Sequence, residues 1–220
     1  MPPFRDQGKY IAASGVTIAG QLHCAGNTPR AHRNVQPNCF MSTVSYQLAS
    51  LHHAALIVSL VNSAYRGEIS KMGWTTEAHI LGGQRTDEEE IQRLLTEDNS
   101  LILLCYHDDQ AIGTVHLKKI EHGAYLGMLT IKPELQGQGY GKQFLAAAEQ
   151  TAQQTWGVNK ITLSVITLRH ELIAFYQRRG YQRTGILDDF PQDPRFGIPR
   201  VAHLQFEYLE KILESQEHTQ

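Results

Sequence analysis

The sequence predicts an α/β protein of the α+β type, with a mixed, mostly antiparallel sheet and helices on both faces. Three observations support this prediction. From Met41 onward, short apolar segments of strand type alternate with segments whose apolar residues recur at helical spacing. Short turns join three consecutive strands directly, whereas helices separate the others. The 220 residues contain no internal repeat.

The predicted elements follow in the order strand, two helices, three strands, helix, strand, helix and two strands. Ser50 can cap the first helix, and the second begins at a capping box that starts at Thr86. The helices are predicted at 51–65, after 86–89, at 140–156 and at 171–179. The strands are predicted at 43–48, 101–107, 111–120, 124–131, 161–165, 181–186 and 202–208.

Composition narrows the partners and the domain organisation. Lys and Arg total 20 and Asp and Glu total 22, so the formal net charge of −2 argues against nucleic acid or an anionic membrane as the main partner. Three cysteines and no CxxC pair predict neither a disulfide framework nor a metal site. We expect a loosely ordered extension at 1–40, one domain at 41–212 and a tail at 213–220.

The sequence contains no run of about 18 apolar residues, the length that a membrane-spanning helix needs. The mildly apolar stretch near the start is diluted by small polar residues, and no clear cleavage pattern of a signal peptide follows it. We therefore expect a cytoplasmic protein without a membrane partner.

A glycine-rich segment at residues 136–141 (QGQGYG) lies between a predicted buried strand and an amphipathic helix. Glycines there let several backbone N–H groups converge at the positive end of the helix dipole, which suits a pyrophosphate. The glycines alone also allow a tight turn with no ligand. A P-loop would need glycine at 136 and Ser or Thr at 143, and a dinucleotide fingerprint would need glycine at 142, so both fit less well.

Residues 126–185 resemble the GNAT superfamily of acyl-CoA-dependent N-acyltransferases. The run at 129–141 (LTIKPELQGQGYG) is similar to its pyrophosphate motif, with Gln136, Gly139 and Gly141 at the three defining positions. The run at 174–181 (AFYQRRGY) resembles a second family segment, in which an aromatic pair precedes a glycine. The element order from Met41 onward also suits this family.

The resemblance implies acetyl-CoA as cosubstrate and no metal. It also implies that the strands at 124–131 and 161–165 splay apart, with the pantetheine arm in the gap. An amine of a small molecule or peptide would attack the thioester directly, without a covalent enzyme intermediate. The residues that the resemblance assigns to cosubstrate binding are Leu129, Thr130, Ile131, Gln136, Gly137, Gln138, Gly139, Tyr140, Gly141 and Lys142.

Tyr176 is the expected general acid, because the family places a tyrosine here near the sulfur. The other interpretation is an aromatic core pair with Phe175. No carboxylate lies in the strand at 124–131, where some relatives have a basic glutamate. Glu77 is one candidate for the base, and water-mediated proton transfer is an equal alternative. The asparagine that often precedes the last helix in the family is absent.

The acceptor site is expected in the region after the first helix. Tyr65, Arg66, Trp74 and Glu77 place aromatic and charged side chains in a loop, where a solvated surface is the other interpretation. Asp188, Asp189 and Asp193 would attract a cationic amine or would simply occupy a surface loop. A catalytically silent acyl-CoA-binding domain that acts as a sensor or regulatory partner is the alternative function. Dimers are common among the relatives, which leaves a homodimer open.

Overall fold

The structure, a computed structural model, describes residues 43–214, and a seven-stranded sheet lies at its centre. The strands are β1 (Val44–Leu48), β2 (Leu81–Gly82), β3 (Ser100–His107), β4 (Gln110–Ile120), β5 (Gly123–Ile131), β6 (Lys160–Ile166), β7 (Gln182–Asp189), β8 (Ile198–Pro199) and β9 (Gln205–Ile212). The helices are α1 (Ala54–Tyr65), α2 (Gly67–Ser70), α3 (Glu88–Thr96), α4 (Tyr140–Trp156) and α5 (His170–Gln177).

The strand order in the main sheet is β1-β3-β4-β5-β6-β9-β7, and β2 pairs with β8 in a separate two-stranded sheet. Strands β1, β3, β4 and β5 pair antiparallel in succession, as do β6, β9 and β7. Only β5 and β6 run parallel, joined by the crossover helix α4. The predicted mixed, mostly antiparallel sheet is thereby confirmed.

The two halves of the sheet separate between β5 and β6. These strands pair only at Ala124 with Ile161 and at Tyr125 with Thr162. Beyond Tyr125 the strands continue without further pairing, which leaves a gap towards the carboxyl ends of both. The splayed central strand pair that the sequence predicted is therefore present.

A β-bulge interrupts β5 beside this gap. Thr114 pairs with Thr130 whereas His116 pairs with Gly127, so β5 has one residue more than β4 over the same stretch. Met128 within the bulge has a φ of 50°, which is uncommon for a residue with a side chain. The bulge changes the direction of the strand where the gap opens.

Helices cover both faces of the sheet. On one face, α4 and α5 pack on a cluster that includes the fully buried Phe144, Leu145 and Tyr181. On the other face, α1 and α3 pack on a second cluster around Ile57, Ile91 and Leu104. A third, smaller cluster joins Ile80 and Leu81 to Phe190, Leu204 and Ile166 at the end of β6.

Most predicted elements lie where expected, and α4 has the predicted bounds. The predicted capping box was wrong by one residue, since Asp87 is the N-cap and its carboxylate accepts from the Glu90 N–H at 2.8 Å. The last strand covers Gln205–Ile212 rather than 202–208. The apolar alternation of Ala202, Leu204, Phe206 and Tyr208 suggested the earlier start, whereas the strand buries the opposite positions, Glu207 and Leu209.

Some predictions concern parts of the chain beyond the described residues. The extension at 1–40 and residues 215–220 of the tail lie outside them, so the domain bounds stay a prediction.

Cys105 is a buried free thiol, and burial raises its pKa to about 12. Across residues 43–214, no helix has the length and apolar character to cross a membrane.

Candidate active site

The glycine-rich segment forms the entry to α4. Gly137 and Gly139 have φ values of 82° and 92°, a conformation that favours glycine, and Gly139 is the N-cap of the helix. Within the described residues, the backbone N–H groups of 137–141 have no hydrogen-bond acceptor. A Cβ added at Gly137 or Gly139 would meet no atom within 4 Å, so the space in front of the segment is open.

These features fit a bound pyrophosphate. Free N–H groups at the start of a 17-residue helix combine directed donors with the positive end of its dipole. Gln138 is exposed, and its amide donates only to the Glu134 carbonyl oxygen at 3.3 Å. Tyr140 is partly buried and Lys142 is exposed on the first turn of α4. A mobile lysine there can approach an anion in front of the helix.

Gln136 differs from its neighbours because its side chain is already held by the protein. Its Nε2 donates to the Ile131 carbonyl oxygen at 2.9 Å and to Thr75 Oγ1 at 2.8 Å. Its Oε1 accepts from the Thr75 N–H at 3.3 Å. A Cβ at Gly73 would come within 2.6 Å of the same Oε1. Gln136 therefore fastens the glycine-rich segment to the end of β5 and to the loop after α2.

The three strand residues assigned to the cosubstrate lie at and just after the bulge of β5. The Leu129 carbonyl oxygen accepts from the Tyr65 hydroxyl at 2.6 Å, which ties α1 to the bulge. Thr130 is buried, and its hydroxyl donates to the Met128 carbonyl oxygen at 3.0 Å. Ile131 is buried at the end of the strand. All three lie in the part of β5 that faces the gap without pairing with β6.

Tyr176 lies on α5 and is buried in the cluster beneath this helix. Its ring contacts Phe175 and Tyr181 edge-on, with ring centroids 5.3 and 5.4 Å away. Burial raises the pKa of its hydroxyl well above the ordinary value. Within residues 43–214, no hydrogen bond joins that hydroxyl to another group. The phenol is thus a protonated donor without an acceptor in the protein.

A buried ion cluster lies near α1 and α5. Arg66 Nη1 donates to Glu77 Oε2, and Arg169 Nη1 donates to Glu77 Oε1 at 3.3 Å. All three residues are buried, with exposed fractions of 5%, 7% and 3% for Arg66, Glu77 and Arg169. Burial lowers the pKa of the Arg66 guanidinium, and the Glu77 carboxylate opposes this effect. Arg66 Nη2 also lies 3.5 Å from the Phe196 carbonyl oxygen, which links the cluster to the loop after β7.

The structure brings most of the predicted acceptor residues together. Tyr65 and Arg66 are adjacent at the end of α1, and the Glu77 N–H donates to the Tyr65 carbonyl oxygen at 2.9 Å. Trp74 is 42% exposed, and its ring centroid lies 5.5 Å from that of Phe175. The sequence did not predict Arg169 as part of this site, because an arginine in a turn gives no local indication that it will be buried against Glu77.

The three predicted aspartates have protein partners of their own, and Asp188 and Asp189 lie at the end of β7 rather than in the predicted loop. Asp188 accepts from the Tyr208 hydroxyl at 2.7 Å, and Asp189 accepts from the Gln205 amide at 2.9 Å. Asp193 caps a short turn and pairs with Arg195 at 2.6 Å. Within the described part of the chain, no group of three or more His, Cys, Asp or Glu side chains is placed to hold a metal ion.

Comparisons with a family model and with a curated protein both find similarity to acetyltransferases. A family model described as the acetyltransferase (GNAT) family matches residues 70–181, just over half of the chain. Over 153 residues the chain is 27% identical to N-acetyltransferase family 8 member 3 of Mus musculus. That match covers 66% of this chain and 64% of the mouse protein, so the chain spans less than two thirds of the length of this relative.

Solved structures share the fold at low sequence identity. An N-acetyltransferase from Staphylococcus aureus Mu50 superposes with a TM-score of 0.58 at 15% identity, covering 77% of this chain and 97% of that one. The ribosomal-protein-S18-alanine N-acetyltransferase from Escherichia coli also gives a TM-score of 0.58, at 13% identity, and covers 82% of this chain and 99% of that one. At these identities the likeness is one of fold.

Proposed function

The chain belongs to the GNAT acetyltransferase family, and from this premise we propose that it transfers the acetyl group of acetyl-CoA to a primary amine. The acceptor is a small molecule or peptide, and its amine attacks the thioester directly. Residues 41–212 form the catalytic domain in this proposal. Acetyl-CoA supplies an activated acyl group, and the protein supplies binding, orientation and proton transfer.

The observation that carries this proposal is the row of free N–H groups at the start of α4, beside the gap between β5 and β6. A pyrophosphate in front of Gly137 and Gly139 satisfies these donors without a steric conflict, since no atom lies within 4 Å of either Cβ position. The pantetheine arm can then lie along the unpaired part of β5. The two features are adjacent because Pro133 ends β5 shortly before the glycines.

Tyr176 acts as the general acid in this proposal. Burial raises the pKa of its hydroxyl, so the group carries its proton at neutral pH. A departing thiolate needs a proton donor, and a hydroxyl without a protein acceptor can supply it. General acid catalysis of this kind contributes roughly 10²- to 10⁴-fold to a rate.

We assign Glu77 a positioning role rather than that of the base. Each of its carboxylate oxygens already accepts from a guanidinium, Oε2 from Arg66 and Oε1 from Arg169. These charge-assisted hydrogen bonds, one to each oxygen, hold the carboxylate within the ion cluster. In this proposal the amine loses its proton to water, and the ion cluster fixes the loop that carries Trp74.

A catalytically silent acyl-CoA-binding domain is the second candidate. Two observations favour it: the strand residues 123–131 include no carboxylate, and Glu77 is engaged by two arginines. Both candidates predict acetyl-CoA binding, and only the enzyme predicts release of CoA in the presence of amines. Measurement of thiol release with a panel of primary amines separates them.

Calorimetric titration with acetyl-CoA and with CoA tests the shared premise. Wild type is expected to bind both in the micromolar range. Gly139→Glu is expected to lose binding, because it places a carboxylate in front of the N–H groups that would hold the pyrophosphate and strains a residue with a φ of 92°.

Gly157→Glu is the matched control. Gly157 is the C-cap at the other end of α4, has a φ of 65°, and has open space at its Cβ position. The two variants share the charge change and a positive φ, but the new carboxylate lies at the positive end of the α4 dipole in one and at the negative end in the other, so circular dichroism first establishes that both fold. Failure of folded wild type to bind either compound contradicts the proposal, and so does equal binding by the two variants.

A further inference from the structure

The buried ion cluster carries an unbalanced charge. Arg66 and Arg169 contribute two guanidinium groups, and Glu77 contributes one carboxylate. All three side chains are at least nine-tenths shielded from solvent, with side-chain exposures of 4% for Arg66, 3% for Arg169 and 10% for Glu77. A buried charge without a counter-charge is costly, so proteins normally pair it.

Two donors of this cluster lack partners. Arg169 Nη2 and Arg66 Nε are buried and have no hydrogen-bond acceptor within the described residues. Buried hydrogen-bond donors nearly always have an acceptor, so two donors without one in the same cluster indicate that something else can bind there. Among residues 43–214, Glu77 is the carboxylate with which Arg66 and Arg169 pair.

The unbalanced charge lies beside the proposed reaction site. Arg66 directly follows Tyr65, whose hydroxyl donates to the Leu129 carbonyl oxygen at the bulge of β5. Arg169 immediately precedes α5, the helix that carries Tyr176. Burial raises the pKa of the Tyr65 and Tyr176 hydroxyls, and the charge of Arg169 opposes this rise at both. The same guanidinium therefore acts on groups at both sides of the gap.

A phosphate of the cosubstrate is a poorer match for this charge than a group on the acceptor. The free N–H groups at residues 137–141 already provide donors for the pyrophosphate. Arg66 and Arg169 lie instead with the loop of Glu77 and, for Arg66, with Phe196, in the region after the first helix where the sequence predicts the acceptor site. A planar guanidinium edge is suited to a carboxylate, which it can bind through two parallel hydrogen bonds.

We infer that the acceptor amine carries a carboxylate, and that Arg169, with Arg66, recognises it. This inference rests on the proposed function and names its substrate class as amino acids or molecules with the same two groups. The acceptor nitrogen forms the C–N bond as the C–S bond breaks. The sulfur takes the proton of Tyr176, and the proton of the amine leaves to water, from which Tyr176 is reprotonated. Arg169 Nη2 is buried in the free protein, so recognition of the carboxylate in this proposal requires a local rearrangement around it.

Matched pairs of amines test this inference. L-phenylalanine is compared with phenethylamine, and L-lysine with 1,5-diaminopentane, by thiol release from acetyl-CoA. In at least one pair the wild type is expected to favour the carboxylate-bearing member by about 10- to 100-fold in kcat/KM, the range of a charged hydrogen bond. Arg169→Gln is expected to bring that ratio close to one, and Arg169→Lys to give an intermediate ratio.

The controls separate folding, cosubstrate binding and acceptor recognition. Arg169→Gln leaves Arg66 and Glu77 as a one-to-one pair, so the variant is expected to fold and to bind acetyl-CoA as wild type does. Arg195→Gln removes the same charge from an 80% exposed position in the loop that also carries Phe196 and is expected to keep the wild-type ratio. If Arg169→Gln does not fold, the inference is tested by comparing the kcat/KM ratio of wild type with that of Arg169→Lys.

The inference is overturned if wild type uses the decarboxylated member of both pairs equally well or better. It is also overturned if Arg169→Gln keeps the wild-type ratio. Should none of the amines be acetylated, calorimetry with CoA-saturated protein compares L-phenylalanine with phenethylamine, and absence of a preference counts against the inference. Retained binding of acetyl-CoA in these outcomes leaves the proposed function standing, whereas its absence removes both.

Discussion

Two regions of the molecule flank the gap between β5 and β6, and they are built in opposite ways. The glycine-rich segment consists of six consecutive residues, and its functional groups are backbone N–H groups. The ion cluster consists of side chains from distant parts of the chain, since Arg66 lies 11 residues and Arg169 lies 92 residues from Glu77. One region depends on local conformation and the other on tertiary packing.

This difference predicts how each region responds to substitution. In the glycine-rich segment Gly137 and Gly139 have no side chain and the space in front of them is open, so a change there can remove ligand binding and leave the core unaltered. In the ion cluster one carboxylate, that of Glu77, balances two buried guanidiniums, so its removal acts first on stability. Three experiments test whether the two regions differ in this way.

The largest effect is expected from Tyr176→Phe, which removes the hydroxyl between the two regions. If Tyr176 is the general acid, kcat should fall by about 10²- to 10⁴-fold while the Kd for acetyl-CoA stays unchanged. Tyr181→Phe is the control, because that hydroxyl donates to Glu149 at 2.9 Å and has a structural role. Steady-state thiol release and calorimetry measure both. A wild-type kcat in Tyr176→Phe would show that Tyr176 is a core residue rather than the general acid.

The next effect concerns stability. Glu77→Ala leaves two buried guanidiniums without a counter-charge, and the free energy of unfolding should fall by about 3–5 kcal/mol. Glu68→Ala breaks an exposed ion pair with Lys71 and should change it by less than about 1 kcal/mol. Denaturant titration followed by circular dichroism measures the free energy. A Glu77→Ala protein as stable as Glu68→Ala would show that the cluster is not a unit of the fold.

The smallest effect comes from a buried group outside both regions. His116 on β4 shares a hydrogen bond of 2.9 Å with Ser100 Oγ, and burial lowers its pKa from 6.5 to about 4. In the folded state His116 therefore resists protonation. The free energy of unfolding is highest above pH 6.5 and decreases as the pH falls from 6.5 towards 4. Linkage gives a loss of about 2 kcal/mol between pH 7 and pH 5.

His116→Gln tests this acid sensitivity. The variant should show a much smaller loss of unfolding free energy between pH 7 and pH 5 in the same denaturant titrations. The result locates the sensitivity on β4, away from the glycine-rich segment and the ion cluster. An unchanged pH dependence in the variant would instead assign it to other titrating groups.

The sequence predicted the region that depends on local conformation. Pro133 ends a strand, the glycines allow positive φ values, and Leu145, Ala148 and Ala152 recur on one helical face, so the bounds of α4 could be predicted closely. The splayed strand pair came from the resemblance to a family. The roles of the assigned residues stay predictions, with Gln136 bonded to the protein rather than directed towards the open space.

The features that the sequence did not reveal depend on contacts between distant residues. Strands β2 and β8 have two residues each, which is too short for any period to be visible. Arg169 lies in a turn, where a charged residue is ordinarily solvated, and only the approach of Glu77 explains its burial. Asp188, Asp189 and Asp193 looked equivalent in sequence, but the first two end β7, the third follows it, and each has a different partner in the structure.

The gap between β5 and β6 also has a consequence for how the chain folds. Strands β3, β4 and β5 join through tight turns, so these strands pair at a low cost in loop-closure entropy. The second half of the sheet joins the first across the longer connection through α4, at a higher cost in loop-closure entropy, and β5 and β6 then pair at two positions. The opening that would admit a cosubstrate is therefore also the boundary at which the most distant part of the sheet is added to the meander.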